Sequence, residues 1–362
     1  MSETLLRDDD LIVRSDGALR RITLNRPQAL NAITLDMAVA MTALLRKWQS
    51  DPKVGAVLLD GAGDRGFCAG GDIRALYEAA KSKPGKPASA ADSLPVRFWA
   101  IEYKLNVLIA RYAKPVIAVM DGLVMGGGVG LSAHAAHRVV TERSTVAMPE
   151  VGIGFFPDVG ASFLLARAPG CVGTYLALTG ARLGAADALY CKLADIHVAA
   201  DRLIKLPAAL ASCRSHDEVR AGLERLSTAP APARLPKERE WIDACYGGDG
   251  LEEIIARLRA CRAESAQAAL EIMRKASPTS LKVTLRNIRS AATFDRVEQS
   301  FAQDYRIALA CIAGHDFIEG IRAAIVDKDR KPRWRPDKIE AVTREIVDRH
   351  FRSVGEGELT FE

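Results

Sequence analysis

The first half of the sequence alternates short apolar runs with amphipathic stretches, and this alternation constrains the fold more than any other feature. Residues 19–25 and 54–59 have the apolar or alternating character of β-strands. Between them, apolar residues recur at intervals of three and four from 37 to 48, as in a helix. A second amphipathic stretch, roughly 96–111, precedes a further strand at 115–120. Because strands separated by helices usually pair in parallel, we predict an α/β fold with a parallel sheet.

The chain has 362 residues, which is more than one domain usually contains. Beyond a break rich in proline and alanine at 228–237, the apolar pattern is mainly helical up to about residue 350. We predict a main domain at 1–205 that carries the functional site, followed by a mainly helical C-terminal region at 206–362.

Composition argues against several classes of protein. No uninterrupted apolar stretch reaches the ~20 residues that a membrane-spanning helix needs. The first ten residues are acidic and lack the order of a secretory signal, which favours a cytoplasmic location. The seven cysteines are scattered and never spaced as Cys-x-x-Cys, so we expect reduced thiols and no zinc site. The formal charge of +5 is intermixed along the chain, which argues against nucleic acid but suits a small polyanionic ligand.

Two glycine-containing segments each follow an apolar strand. Ala69-Gly70-Gly71-Asp72 is one, and its small residues would let a ligand come within hydrogen-bond reach of main-chain N–H groups. The other is the triple glycine at 126–128, which leads into a predicted helix whose free N–H groups favour an anion or a polarised carbonyl oxygen. A plain glycine turn and close helix packing are the respective structural alternatives. Together the two segments predict an oxyanion hole.

A third glycine segment, at 61–66, formally matches the dinucleotide-binding fingerprint because it follows a strand. A dinucleotide-binding loop should open directly into a helix, whereas residues 67–73 intervene here. A nicotinamide site is therefore a weak alternative.

Two carboxylates, Glu150 and Asp158, lie eight residues apart in an apolar, glycine-bearing segment. Burial in such surroundings would raise their pKa values and suit them to acid/base work. The structural alternative is that Glu150 caps a turn and Asp158 caps the following helix. His134 and His137 are three residues apart, but no acidic or cysteine partner accompanies them, so we predict no metal site.

Several of these motifs stand in the order and spacing of the crotonase (enoyl-CoA hydratase/isomerase) superfamily, which the chain resembles over about residues 12–200. They are Asn25-Arg26-Pro27, Ala29-Leu30-Asn31, Phe67 to Ile73, the triple glycine and Met148-Pro149-Glu150. Within the superfamily the chain most resembles the 3-hydroxyisobutyryl-CoA hydrolases. Two C-terminal motifs, at 316–323 and 327–336, extend that resemblance to most of the chain.

The resemblance implies a crotonase-like ββα spiral core with a helical C-terminal region. It also implies an oxyanion hole in which the N–H groups of Gly71 and Gly127 hold the oxygen of an acyl-CoA thioester. Glu150 would be the principal catalytic carboxylate, Asp158 the second carboxylate of the hydrolases, and Glu102 a substrate contact.

The remaining binding residues follow from the same resemblance and from the first glycine segment. Arg26 and Ala29 match the positions that meet the nucleotide and pantetheine of coenzyme A. Ala69 and Asp72 belong to the substrate-binding segment. Hydratases usually carry a second catalytic glutamate where this chain has Gly130, so the departure disfavours hydration.

We therefore predict hydrolysis of an acyl-CoA thioester, in the manner of a 3-hydroxyisobutyryl-CoA hydrolase of valine catabolism, with no cofactor beyond the coenzyme A of the substrate. The alternatives are an enoyl-CoA hydratase or isomerase and a catalytically weak acyl-CoA-binding homologue. The resemblance also suggests a homo-oligomer, a trimer or a multiple of one, while membrane and nucleic-acid partners are not expected.

Overall fold

The computed structural model of the protein describes residues 3–8, 10–81 and 90–361. The chain forms two compact units and passes between them repeatedly. The first comprises residues 1–71, 104–147 and 182–234, and the second comprises 72–103, 148–181 and 235–362. The sequence-based division at residue 205 does not coincide with these units, because the segment beyond it continues in the first unit up to residue 234.

All the strands that the structure describes lie in the first unit, and they form two sheets. In chain order they are β1 (Glu3–Asp8), β2 (Leu11–Asp16), β3 (Leu19–Leu24), β4 (Ala56–Gly61), β5 (Gly66–Cys68), β6 (Val116–Met120), β7 (Leu123–Met125), β8 (His137–Val140), β9 (Thr145–Ala147) and β10 (Ile196–His197). The larger sheet has the order β1-β2-β3-β4-β6-β8-β10 and is parallel from β3 onward. The smaller sheet, β5-β7-β9, is parallel throughout. The predicted α/β class with a parallel sheet is confirmed.

The helices are α1 (Leu35–Ser50), α2 (Ile73–Lys81), α3 (Leu94–Ala110), α4 (Gly127–Ser132), α5 (Ala161–Leu165), α6 (Val172–Thr179), α7 (Ala185–Tyr190), α8 (Leu206–Leu210), α9 (His216–Glu224), α10 (Leu235–Tyr246), α11 (Leu251–Ala260), α12 (Glu264–Lys275), α13 (Pro278–Ala291), α14 (Val297–Ala313), α15 (Asp316–Ile321) and α16 (Arg344–Arg349). In the described part of the chain, no helix combines the length and apolar character needed to cross a membrane.

Helix α1 shows how local sequence sets an element. The hydroxyl of Thr34 accepts a hydrogen bond from the N–H of Met37 at 3.2 Å, which satisfies one of the free donors at the helix start. Met37, Met41 and Trp48 are buried at helical spacing, as their periodicity predicts.

Helices α8 and α9 belong with the first unit because their apolar residues pack on its larger sheet. Leu206, Leu210, Val219 and Leu223 join a buried cluster with strand residues such as Ile117. Their burial against strands explains why the compact unit extends past residue 205.

In the second unit, the two C-terminal motifs at 316–323 and 327–336 form α15, a turn and a loop that ion pairs of Arg322 hold in place. The guanidinium of Arg322 donates to Glu319 at 2.8 Å and to Asp327 and Asp329 at 2.7 Å each. Beyond α15, a π-helical turn at Arg322–Val326 leads into this loop. The charged residues of these motifs thus have a structural role in the described fold.

Candidate active site

The first glycine segment follows β5 and is held in the first unit by the chain just before α1. The N–H of Ala69 donates to the carbonyl of Leu30 at 3.0 Å, and the N–H of Ile33 donates to the carbonyl of Gly70 at 2.9 Å. Gly70 has a φ of +113°, a conformation that residues with side chains rarely adopt. Glycine is therefore needed here to shape the segment that ends at Gly71.

The second glycine segment follows β7 and opens α4. Gly126 precedes the helix with a φ of +50°, and its carbonyl accepts hydrogen bonds from the N–H groups of Val129 and Gly130. A Cβ atom on Gly128 would lie 2.2 Å from the carbonyl oxygen of Cys68, at the end of β5. Close packing, the structural alternative for this triple glycine, is thus present.

The two glycine segments are neighbours in the first unit because β5 and β7 are adjacent parallel strands that end at the same edge. A Cβ atom on Gly70 would lie 3.6 Å from the nitrogen of Gly127. In the described part of the chain, the N–H groups of Gly71 and Gly127 donate to no main-chain carbonyl. Two available donors on adjacent turns can stabilise charge that develops on a carbonyl oxygen.

The other predicted binding residues of the first unit have structural contacts. The guanidinium of Arg26 donates to the carbonyl of Ala32 at 2.8 Å and lies 3.7 Å from the carboxylate of Asp10. Ala29 ends a 3-10 turn at Pro27–Ala29 and is partly exposed. The side chain of Asn31, buried in the same loop, donates to the carbonyls of residues 62 and 66. Residues 61–66 lead into β5 and not into a helix, so the dinucleotide-binding alternative lacks its required context.

The predicted carboxylates lie in the second unit and are buried there. Glu102, on α3, is 2% exposed, while Glu150 and Asp158 are 7% and 6% exposed. The hydroxyl of Tyr103 donates to Oδ2 of Asp158 at 2.7 Å. Among the described residues, Oε1 of Glu102 and Oε2 of Glu150 have no hydrogen-bond partner. A buried carboxylate oxygen without a partner is costly and marks a place where a ligand or water can donate.

Capping does not explain these carboxylates. Gly160 is the N-cap of α5 and Pro149 is the N-cap of the 3-10 turn that begins at Glu150, and neither helix end has a side-chain cap. Asp72 does have such a role, since its carboxylate accepts from the N–H of Ala75 at 3.2 Å at the start of α2. The helix-capping alternative is thus wrong for Asp158, whereas Asp72, for which no capping role was predicted, does cap a helix.

Burial dominates the electrostatics of this cluster. It raises the pKa of Asp158 to about 7, although the hydrogen bond from Tyr103 opposes the rise. Burial, followed by the charge of Asp158, raises the pKa values of Glu102 and Glu150 well above the usual range. Among the described residues, no lysine or arginine forms an ion pair with these three carboxylates. Asp158, with a pKa near neutral pH, can exchange protons with a substrate or water.

Sequence reasoning missed Asp304, which is fully buried on α14 and belongs to the same cluster. The charge of Asp158 contributes to a raised pKa of Asp304. A signal was available, because Asp304 interrupts the buried apolar face that Phe301, Tyr305 and Ala308 form at helical spacing. His137 begins β8 and its ring lies 3.3 Å from a ring nitrogen of His216.

The comparisons with known proteins agree with this architecture. The sequence model of the family described as enoyl-CoA hydratase/isomerase matches residues 19–351. The chain belongs to this family. Its parallel sheet and paired glycine turns, together with its similarity to a crystal structure of a carnitinyl-CoA dehydratase from Mycobacterium thermoresistibile, confirm the crotonase-like fold. The two chains are 44% identical, with a TM-score of 0.90 over 98% of this chain and 99% of that one.

Curated relatives point to the hydrolase branch of the family. The chain is 40% identical to the mitochondrial 3-hydroxyisobutyryl-CoA hydrolase of Danio rerio, over 97% of this chain and 91% of the relative. It is 38% identical to the human protein of the same name, over 98% and 91%. The predicted resemblance to this branch is confirmed.

The predicted cytoplasmic location is wrong by the same comparison, because these relatives are mitochondrial proteins. The prediction rested on the composition of a short segment, which does not specify a cellular compartment.

Proposed function

We propose that the protein hydrolyses the thioester of a short 3-hydroxyacyl-CoA, with 3-hydroxyisobutyryl-CoA as the first candidate. The observation that carries the proposal is the buried cluster of Glu102, Glu150 and Asp158, in which two oxygens lack partners and no cation neutralises the charges among the described residues. The names of the curated relatives support the acyl group and the reaction. A role in valine catabolism follows from that acyl group.

The N–H groups of Gly71 and Gly127 donate to the thioester oxygen and stabilise the negative charge that develops there. Glu150 removes a proton from a water molecule as the water oxygen attacks the thioester carbon. The carbon–sulfur bond then breaks, and the proton passes to the departing thiolate. Asp158 accepts a hydrogen bond from the 3-hydroxyl group or from the attacking water, and Glu102 contacts the substrate.

A second route begins with attack by the Glu150 carboxylate itself, which forms a mixed anhydride that water then cleaves. Hydroxylamine distinguishes the two routes, since it converts an anhydride at Glu150 into a glutamyl hydroxamate. The mass of the peptide that contains Glu150, measured during turnover, reports this product. Its absence under conditions of rapid turnover supports water attack.

The reaction is tested by thiol release from 3-hydroxyisobutyryl-CoA, 3-hydroxypropionyl-CoA and crotonyl-CoA, compared side by side. We expect rapid release from the two hydroxyacyl esters and little from the crotonyl ester. The name of the Mycobacterium thermoresistibile structure favours hydration or dehydration as the second candidate. Consumption of crotonyl-CoA without free thiol would establish that candidate and contradict hydrolysis.

A further inference from the structure

A chain of hydrogen bonds in the second unit ends at the turn that carries Asp158. Oδ2 of Asp304 accepts from the main-chain N–H of Gly160 at 2.8 Å, and Oδ1 accepts from the amide of Asn287 at 3.0 Å. The amide of Gln303 donates in turn to Asn287 at 2.6 Å. Asp304 is fully buried, so both of its oxygens depend on these partners.

The turn from Asp158 to Gly160 needs such support because its main chain is strained. Val159 has a φ of +52° and Gly160 a φ of +71°, and a β-branched residue rarely adopts positive φ. The side chain of Asp158 is held on one side by Tyr103, and the main chain of the turn is held on the other by Asp304. A strained turn persists only where its surroundings fix it.

Asp304 can hold this turn without adding a charge to the cluster. Burial, opposed by the hydrogen bonds from Asn287 and Gly160, leaves its pKa well above the usual range. If Asp304 is protonated, its hydroxyl would donate to the side-chain oxygen of Asn287, with the nitrogen and oxygen of the Asn287 and Gln303 side-chain amides exchanged. Its other oxygen would still accept from the N–H of Gly160. Hydrogen bonding, and not negative charge, is then what Asp304 supplies.

We propose that Asp304 is a positioning residue that acts through the N–H of Gly160 and fixes the direction of the Asp158 carboxylate. This inference rests on the proposed hydrolysis, because it assigns the turn a role in the same site. A displacement of about 1 Å in a reacting group can lower a rate by about 10²-fold, so loss of this anchor should affect turnover strongly.

The test compares three variants in the full-length protein. Asp304→Asn keeps an acceptor for Gly160 and removes the ionisable group, so we expect kcat within about threefold of the wild type. Asp304→Ala removes the acceptor, and we expect kcat to fall about 10- to 100-fold with a smaller change in KM. Ser300→Ala serves as the matched control, because it removes a different buried bond between α14 and α5, the 2.6 Å contact of Ser300 with Ser162. The control should retain kcat.

Asp304→Ala is then combined with Asp158→Asn. If Asp304 acts through Asp158, Asp304→Ala should lower kcat by less than about threefold in a protein that already carries Asp158→Asn. If Asp304→Ala lowers kcat as much in that background as in the wild type, the effect does not pass through Asp158 and the proposal is overturned. An equal loss of kcat in Ser300→Ala and Asp304→Ala would show a general loss of packing and would also overturn it. A folded Asp304→Asn variant as slow as Asp304→Ala would also overturn it.

A readout independent of turnover separates this inference from the proposed function. Absence of thiol release by the wild type contradicts the proposed function alone. Carbon-13 NMR of aspartate-labelled protein, with Asp158 assigned from Asp158→Asn, then follows the titration of that carboxyl group. We expect Asp304→Ala to shift its midpoint and Ser300→Ala to leave it in place, and identical midpoints in all variants would refute the positioning role.

Discussion

Replacing Tyr103 with phenylalanine removes the hydrogen bond that opposes the effect of burial on Asp158. The bond is 2.7 Å long, and both partners are buried. A hydrogen bond to a charged group contributes about 1.5–3 kcal/mol, and one pKa unit corresponds to about 1.36 kcal/mol. Since the bond favours the charged form and the pKa of Asp158 is about 7, its loss should raise that pKa by about 1–2 units.

The direction of the expected change in the pH profile follows from the proposed role of Asp158, which acts as the ionised carboxylate. A higher pKa means that ionisation needs a higher pH, so the acidic limb of the kcat profile should move from near pH 7 toward pH 8–9. At pH 7 the ionised fraction would fall from about one half to between roughly a tenth and a hundredth. Activity should then recover as the pH rises.

The assay is thiol release from a 3-hydroxyacyl-CoA between pH 6 and pH 9.5, with enzyme-free rates subtracted. Tyr305→Phe is the control, because the ring of Tyr305 packs edge-on against that of Tyr103 at 6.5 Å. In the part of the chain that the structure describes, its hydroxyl makes no hydrogen bond to Asp158. An unmoved limb in Tyr103→Phe, or an equal shift in the control, would refute the reasoning.

Further changes test the remaining parts of the site and fold. Glu150→Gln should lower kcat about 10²- to 10⁴-fold without lowering Tm, and a variant that keeps its thiol-release rate would remove Glu150 from the mechanism. Gly128→Ala places a Cβ atom 2.2 Å from the carbonyl oxygen of Cys68 and should lower both kcat and Tm, whereas Gly152→Ala, with no atom within 4 Å, should change neither. Burial, and then a neighbouring histidine, lowers the pKa of His137, so the folded state binds fewer protons than the unfolded one, and stability should fall as the pH drops through about 6.5. Urea unfolding from pH 7 to pH 5 checks this, since His137→Gln should flatten the decline.

Local sequence was enough to predict the elements that carry the glycine turns. The periodicity of α1 and the apolar runs of β4 and β6 are properties of short segments, and each element lies within two residues of its predicted position. The adjacency of Gly70 and Gly127 then follows from parallel pairing, because neighbouring strands end at the same edge. The adjacency of the two glycine turns could therefore be predicted from the sequence, because it depends on strand order.

Contacts between distant segments were not accessible in the same way. Asp304 follows Gly160 by 144 residues, and no local pattern connects them. The single signal was a charged residue on the buried face of α14, and such a residue has many possible partners. The division at 205 fails to coincide with the compact units for a related reason, since the burial of α8 and α9 against a sheet is a tertiary property.

The carboxylates of the second unit differ in the hydrogen-bond donors that reach them. Asp158 receives the hydroxyl of Tyr103, whereas Oε2 of Glu150 receives no donor among the described residues. The hydrogen bond from Tyr103 opposes the rise that burial causes in the pKa of Asp158, whereas burial, followed by the charge of Asp158, raises the pKa of Glu150 well above the usual range. A water molecule that donates to Oε2 would lower the pKa of Glu150 as it binds. The water to be activated would therefore help to produce the base that activates it, which makes the missing partner of Glu150 consistent with a catalytic role.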